Sequence, residues 1–141
     1  MTTILADREL GVMVSDSSFS DGVCVGNMRK IWRVKGALVG MAGNLDEFEP
    51  FLAWYRGGME GPPPRMKTLS ALVLSPGRIL HFANSHLPFT VQSRTEAIGS
   101  GAMAAKAAHE ALAFTDPRKA VQIACRHDAG SRAPVRTYQL T

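Results

Sequence analysis

Residues 30–43 read KIWRVKGALVGMAG, and this stretch decides the fold that we expect. Polar and apolar residues alternate over 30–35, which is typical of a half-buried strand. Gly36 then permits a tight turn, and the apolar run 37–42 returns as a second strand. The stretch therefore predicts an antiparallel hairpin over 30–42 that Gly43 ends.

A helix is predicted directly after this hairpin. Asp46 and Glu49 have the three-residue spacing of a capping box. Apolar side chains recur there at helical spacing, namely Phe48, Phe51, Leu52 and Tyr55. If Asp46 is the N-cap, Pro50 falls in or just past the first turn, where its missing N–H costs little. A helix that began at Asn44 would instead be kinked by Pro50.

The rest of the chain predicts more strands and two more helices. Strands are expected over 3–6, 11–15, 68–74, 78–83 and 135–140, with one or two short strands within 91–98 and turn chemistry over 17–22. Helices are expected over 101–114, which is rich in alanine, and from Pro117 to about His127 with Asp116 as N-cap. Because helices do not alternate with strands, a doubly wound parallel sheet is disfavoured. Two antiparallel sheets with helices on both outer faces fit this order, in one domain over 1–141.

Composition limits the class of protein. The 141 residues are 45% hydrophobic and 20% charged, which is typical of a globular chain. The net charge of +4 comes from scattered basic residues, so a nucleic-acid interface is not favoured. Asp7 and Glu9 occupy the region where a signal peptide is apolar, and no apolar run is long enough for a membrane span, so we expect a cytoplasmic protein. Cys24 and Cys125 are expected to be reduced, although a disulfide between them is conceivable.

Four histidines lack the spacing of a metal site, and no phosphate-binding glycine loop is present. We therefore expect neither a metal nor a cofactor.

The opening Met1-Thr2 has a specific chemical use. A threonine hydroxyl needs an adjacent base to become a nucleophile, and an N-terminal threonine can use its own α-amino group. The pKa of such an amine is about 7.7–8.0, close to operating pH. Thr2 can act in this way only after Met1 is removed, which the small Thr2 side chain permits. Taken alone, the dipeptide is also a common start.

Five short blocks together carry a resemblance. They are TTI with GVMVSDS (residues 2–4 and 11–17), RKI (29–31), GMAG (40–43), IGSG (98–101) and HDAGS (127–131). In this order they resemble proteasome β subunits and the bacterial HslV peptidase, in the compact type found in phages and bacteria. The resemblance implies an α+β fold, the four-layer αββα sandwich of the N-terminal nucleophile (Ntn) hydrolases. The chain is shorter than the usual β subunit, mostly around GGMEGPPPR (57–65), and Thr2 and Asp16 are closer in sequence than in HslV.

The resemblance also implies roles for seven residues. Thr2 is the nucleophile, Asp16 holds the catalytic Lys30 in place, and the N–H of Gly43 is an oxyanion donor. Ser100, Asp128 and Ser131 orient the α-amino group. Each has an ordinary structural alternative. Asp16, Asp128 and Ser131 suit turns, Ser100 suits a helix N-cap, and Lys30 suits a solvated strand. Considered in isolation, Gly43 would be an ordinary glycine in a strand-to-helix turn.

A first specificity pocket is implied less directly, and five large apolar residues are its candidates: Phe19, Met28, Trp32, Met41 and Leu45. They would favour substrates with a bulky hydrophobic residue before the cleaved bond. Trp32 and Met41 also suit a plain core.

The function implied is a threonine-type peptidase that cuts polypeptides. The resemblance further implies a homo-oligomeric ring and an ATP-driven unfoldase as a partner. Two alternatives stay open: an Ntn amidohydrolase acting on a small amide, and a catalytically silent proteasome-like assembly protein.

Overall fold

The computed structural model describes residues 2–20, 23 and 25–141. The strands in this part of the chain are β1 (Ile4–Asp7), β2 (Val12–Ser15), β3 (Ser18–Ser20), β4 (Val25–Asn27), β5 (Ile31–Val34), β6 (Ala37–Ala42), β7 (Ser70–Ser75), β8 (Arg78–Ala83), β9 (Phe89–Thr90), β10 (Thr95–Ile98) and β11 (Arg136–Gln139). The helices are α1 (Phe48–Arg56), α2 (Ala102–Ala111) and α3 (Pro117–His127).

The strands form two antiparallel sheets and a small hairpin. The first sheet has the order β10-β1-β2-β11, the second has the order β5-β6-β7-β8-β9, and β3 pairs with β4. The predicted hairpin over 30–42 is confirmed as β5 and β6, with Ile31 opposite Gly40. The hairpin predicted over 68–83 is confirmed as β7 and β8.

The fold has four layers: α1, the second sheet, the first sheet, and the pair α2 and α3. A cluster of buried apolar side chains lies between each layer and the next. Strand β6 explains the arrangement, because all six of its residues are buried and successive side chains point to opposite faces. Leu38 packs between the two sheets, whereas Val39 faces α1. On the far side, Leu5 and Val14 of the first sheet pack against α2 and α3. The four-layer αββα sandwich is therefore confirmed, with burial of each large apolar side chain contributing about 1.5–3 kcal/mol.

The start of α1 differs from its prediction. A 3-10 turn, Leu45–Glu47, precedes α1, and the N-cap position is Glu47, without a side-chain cap bond. The capping box with Asp46 as N-cap is therefore wrong. Pro50 lies in the first turn of α1, as that prediction allowed.

The turn predicted over 17–22 is partly wrong. Ser18–Ser20 form strand β3, because long-range bonds override the local preference of serine for turns. The Ser17 N–H donates to the Arg132 carbonyl at 3.0 Å, and the Met28 N–H donates to the Ser17 carbonyl at 2.9 Å. Asp21 and Gly22 lie outside the described residues, as does Cys24 of the conceivable disulfide.

The remaining helices agree with the sequence pattern. Asp116 caps α3 by accepting a hydrogen bond from the Lys119 N–H at 3.0 Å. His109 of α2 is fully buried against Asp7, with 2.8 Å between Nε2 and Oδ2.

None of the helices in the described part of the chain is long and apolar enough to cross a membrane. Among the same residues, no group of three or more His, Cys, Asp or Glu side chains could hold a metal ion.

Candidate active site

Strand ends bring the first three candidate residues together. Thr2 comes before β1, Asp16 follows β2, and Lys30 comes before β5. Because β1 and β2 pair with Ile4 opposite Ser15, Thr3 lies beside Asp16. The Asp16 N–H donates to the Thr3 carbonyl at 3.1 Å, and the Thr3 N–H donates to Asp16 Oδ1 at 3.0 Å. The pairing of two sheet strands thus sets the position of Thr2.

Lys30 connects Thr2 with Asp16. Its Nζ donates to Thr2 Oγ1 at 2.9 Å and to Asp16 Oδ1 at 2.9 Å. The side chains are almost fully buried, since Thr2 is 7%, Asp16 0% and Lys30 2% exposed. Lys30 is therefore not the solvated strand lysine that its local sequence allowed.

The surroundings of Lys30 affect its pKa, and those of Asp16 satisfy its two oxygens. Burial lowers the pKa of Lys30, because an ammonium loses its hydration, and the bond and charge of Asp16 offset this only in part. Asp16 Oδ2 accepts two further hydrogen bonds, from the Ser18 N–H at 3.0 Å and the Arg132 N–H at 3.2 Å. A hydrogen-bonded carboxylate thus faces a lysine that can exchange a proton with the Thr2 hydroxyl or stabilise its alkoxide.

Ser100, Asp128 and Ser131 form a second network. Asp128 Oδ2 accepts from Ser100 Oγ at 2.7 Å and from Ser131 Oγ at 2.5 Å. Burial acts to raise the pKa of Asp128, but the bonds from Ser131 and Ser100 outweigh it and hold that pKa below its usual range. Ser100 does not cap α2, whose N-cap position is Gly101. Its Oγ also lies 3.5 Å from the Thr2 carbonyl oxygen.

Thr3 belongs to this network, although the sequence pattern did not single it out. Its Oγ1 lies 2.6 Å from Ser131 Oγ. Because Ser131 gives its one hydroxyl hydrogen to Asp128, Thr3 is the donor in this bond. The only signal in the sequence was a second hydroxyl residue beside Thr2.

The glycines of the IGSG block lie against the backbone of the first residues. Gly99 has φ +94°, and a Cβ there would overlap the Thr2 carbonyl. A Cβ on Gly101 would overlap the Thr3 hydroxyl, and the Gly101 N–H donates to the Thr2 carbonyl at 3.2 Å. Both positions therefore require glycine for a close approach rather than only for a turn.

A cavity of about 350 Å³ opens beside Thr2 and Lys30. Its other lining residues are Ser18, Phe19, Ser20, Met28, Gly43, Asn44, Leu45 and Phe48. Three of the five predicted pocket residues are thus brought to it: Phe19, Met28 and Leu45. Sequence reasoning missed Ser18, Ser20, Asn44 and Phe48; Phe48 was singled out only as part of the apolar face of α1.

The structure places Trp32 and Met41 outside this cavity, which corrects their assignment as pocket residues. Met41 is fully buried, because its position on β6 points the side chain into the core beneath α1. Trp32 packs edge-on against Phe48, with 6.0 Å between ring centroids and an interplanar angle of 85°. Trp32 thus supports Phe48, which lines the cavity, from behind.

Several solved structures are similar to this chain over nearly its whole length. BPH from Thiobacillus denitrificans, in complex with epoxomicin, has a TM-score of 0.76 at 19% identity, over 99% of this chain and 100% of that chain. A second structure of BPH has a TM-score of 0.73 at 19% identity, over 99% and 98% of the two chains. Eukaryotic HslV from Trypanosoma brucei has a TM-score of 0.71 at 24% identity, over 98% and 99%.

No protein-family model matches the sequence, and comparison with curated proteins gives no match. The similarity to the solved structures therefore shows the fold, and the activity has to be derived from the site.

Proposed function

We propose that this protein is a threonine-type endopeptidase whose nucleophile is the hydroxyl of Thr2. The observation that carries the proposal is the bond between Thr2 Oγ1 and Lys30 Nζ, at 2.9 Å, at the wall of a cavity. Asp16 lies behind Lys30 and holds its ammonium group in place. A buried lysine on a hydroxyl, with a cavity for a substrate side chain, suits nucleophilic catalysis.

In the proposed reaction, removal of Met1 frees the α-amino group of Thr2, and this amine accepts the proton of the Thr2 hydroxyl. Thr2 Oγ1 attacks the carbonyl carbon of the substrate, and the carbonyl π electrons move onto its oxygen. Collapse of this intermediate breaks the C–N bond, and the leaving amine takes the proton that the α-amino group held. The α-amino group then takes a proton from water, whose oxygen attacks the ester carbonyl; the bond to Thr2 Oγ1 breaks, and Oγ1 receives the proton back from the α-amino group. Met1 itself lies outside the described residues.

Each of the other site residues has a role in this scheme. Lys30 lowers the free energy of the Thr2 alkoxide. The Gly43 N–H stabilises the oxyanion, and one such donor is typically worth about 3–4 kcal/mol of the barrier. Ser100, Asp128 and Ser131 orient the α-amino group, a role supported by the bond between Ser131 and the Thr3 hydroxyl and by the position of Ser100 Oγ, which lies 3.5 Å from the Thr2 carbonyl oxygen.

Substrates are proposed to place a bulky hydrophobic side chain in the cavity. Its apolar lining of Phe19, Met28, Leu45 and Phe48 supports this preference. The volume of about 350 Å³ is at the low end for ligand pockets, which suits one side chain rather than a large ligand.

We further propose a homo-oligomeric ring in the cytoplasm, supplied with unfolded polypeptide by an ATP-driven unfoldase. The resemblance to HslV supports the ring and the unfoldase.

Intact mass measurement and a panel of fluorogenic peptides test the proposal. We expect a mature chain that lacks Met1, hydrolysis after bulky hydrophobic residues, and loss of activity in T2A. Retention of Met1 would favour the silent assembly protein, and turnover of small amides alone would favour the amidohydrolase. Full activity of T2A would refute Thr2 as the nucleophile.

A further inference from the structure

The backbone around Gly43 is held by a segment that is distant in sequence. Gly43 lines the cavity with Thr2 and Lys30 and has φ +129°, a conformation that L side chains rarely adopt. A Cβ on Gly43 would lie 2.5 Å from the Thr68 carbonyl oxygen and 3.0 Å from the Leu69 Cα. The position of Gly43 at the cavity therefore depends on where residues 68–69 lie.

Thr68 is fixed in turn by Glu47. The Thr68 N–H lies 3.1 and 3.3 Å from the two oxygens of the Glu47 carboxylate, and Thr68 Oγ1 donates to Glu47 Oε2 at 2.7 Å. The same Oγ1 accepts a bond from the Asn44 N–H at 3.0 Å. Hydrogen bonds thus run in one direction, from Asn44 through Thr68 to Glu47.

The chemistry of Glu47 indicates that this link is specific. Glu47 is only 5% exposed, and burial of a carboxylate is unfavourable unless donors compensate it. Burial acts to raise the pKa of Glu47, but bonds from the Thr68 hydroxyl and the Thr68 and Leu69 N–H groups outweigh it and hold that pKa below its usual range. An ionised carboxylate is thereby kept under the Gly43 turn by the segment that Gly43 packs against.

We infer that Glu47 and Thr68 are positioning residues that aim the Gly43 N–H at the oxyanion. This inference rests on the proposed function and deepens it. Neither Glu47 nor Thr68 lines the cavity, whereas Gly43 does, beside Thr2. The Asn44 N–H is already bonded to Thr68 Oγ1, so the N–H of Gly43 is the one that we assign to the oxyanion. Glu47 and Thr68 act through the backbone of residues 43–44.

The size of the effect follows from the demands of an oxyanion donor. Removing one donor reduces kcat by about 10²–10³. A displacement of about 1 Å can reduce the rate by about 10². We therefore expect T68V, which removes the hydroxyl but keeps the shape, to reduce kcat by about 10- to 100-fold. T68S keeps the hydroxyl and should stay close to wild type.

The experiment compares full-length wild type, T68V, T68S and E47Q. T115V is the matched control, because Thr115 Oγ1 donates to the Leu112 carbonyl at 2.6 Å near the end of α2. kcat and KM are measured with a fluorogenic peptide, together with binding of a peptide aldehyde and the labelling rate of a peptide vinyl sulfone of the same sequence. The aldehyde adduct places an oxygen where the oxyanion forms, whereas the vinyl sulfone adduct forms on carbon without one.

We expect T68V and E47Q to lower kcat and to weaken aldehyde binding by the same factor, with KM and vinyl sulfone labelling close to wild type. T68S and T115V should match wild type in all four measurements. The inference is overturned if T68V equals T68S, or if aldehyde binding and vinyl sulfone labelling fall together. If T68V does not fold, E47Q decides by the same criteria.

Failure of the proposed function has a separate signature. Wild type that neither cleaves the peptides nor reacts with either electrophile at Thr2 refutes that function, and this inference with it. An active wild type whose variants T68V and E47Q are indistinguishable from it refutes only the role of Glu47 and Thr68.

Discussion

Lys30 Nζ lies 2.9 Å from Asp16 Oδ1 and equally close to Thr2 Oγ1, so one buried ammonium bridges a carboxylate and a hydroxyl. The three residues come from strand ends in two different sheets. The site therefore exists only when the two sheets are packed against each other, and activity and folding are linked at this point.

Replacing Lys30 with methionine is expected to abolish most activity and to destabilise the fold. Loss of a positioned proton-transfer group reduces rates by about 10²–10⁴. Removing one partner of a buried ion pair costs about 3–5 kcal/mol, because Asp16 is left buried without its partner. Fluorogenic peptide assays and thermal unfolding measure the two effects. The double variant K30M/D16N removes the uncompensated charge, but its amide nitrogen would face backbone N–H donors that now bond to the Asp16 carboxylate, so it should recover only part of the stability and none of the activity. Recovery of activity would contradict the role of Lys30.

Gly99→Ala is expected to reduce activity more than its strain alone explains. Alanine at φ +94° is strained, and its Cβ would also overlap the Thr2 carbonyl, which must then move. A shift of Thr2 by about 1 Å can reduce the rate by about 10². Gly77→Ala is the matched control, since Gly77 has φ +72° and nothing within 4 Å of a Cβ. Unfolding curves and peptide assays on both variants check this, and equal activity loss in the two would contradict it.

Met28→Glu is expected to change substrate preference. Met28 lines the cavity beside Phe19 and Leu45, so a carboxylate there would disfavour a hydrophobic side chain and attract a basic one. We expect kcat/KM for leucine and phenylalanine substrates to fall by about 10-fold or more, as one altered pocket contact changes discrimination by about 1–3 kcal/mol. Substrates with arginine or lysine should gain. Met66→Leu in the core beneath α1 is the control and should leave the preference unchanged.

Glu96 is expected to make stability depend on pH in the acid range. The hydrogen bond from His81, with others from the Ala97 N–H and Lys106, lowers the pKa of Glu96 to about 2 against burial, which raises it. A carboxyl with a lowered pKa stabilises the fold above its unfolded pKa of 4.5, and this contribution is lost as the pH falls from there to about 2.

The measurement is the difference in unfolding free energy between wild type and E96Q as a function of pH. It should be about 1–3 kcal/mol near neutrality and should shrink below pH 4.5. Glu110→Gln, at an exposed position on α2, should give a small difference. A wild type to E96Q difference that stays constant from neutrality to acid would contradict the prediction.

The two hairpins and the three helices could be predicted from the chain because they depend on local patterns, whereas the layer order was predicted from the order of these elements and from the resemblance to a known family. Alternation over 30–35, the turn at Gly36 and the N-cap Asp116 act over a few residues, so their signal is present in short stretches. Thr2, Asp16 and Lys30 could be named beforehand because their blocks resemble a known family in the expected order.

Only the tertiary structure decided the rest. The bond between Thr3 and Ser131 joins residues 128 positions apart, and the Glu47–Thr68 link joins residues 21 positions apart, so neither leaves a local pattern. Trp32 and Met41 have the right size for the pocket, but their strand positions turn them into the core. The sequence by itself determined the elements and the chemical groups, since these follow from propensity and residue type. Sheet pairing and packing determined which of those groups meet at Thr2, because distance in space is set by the whole fold.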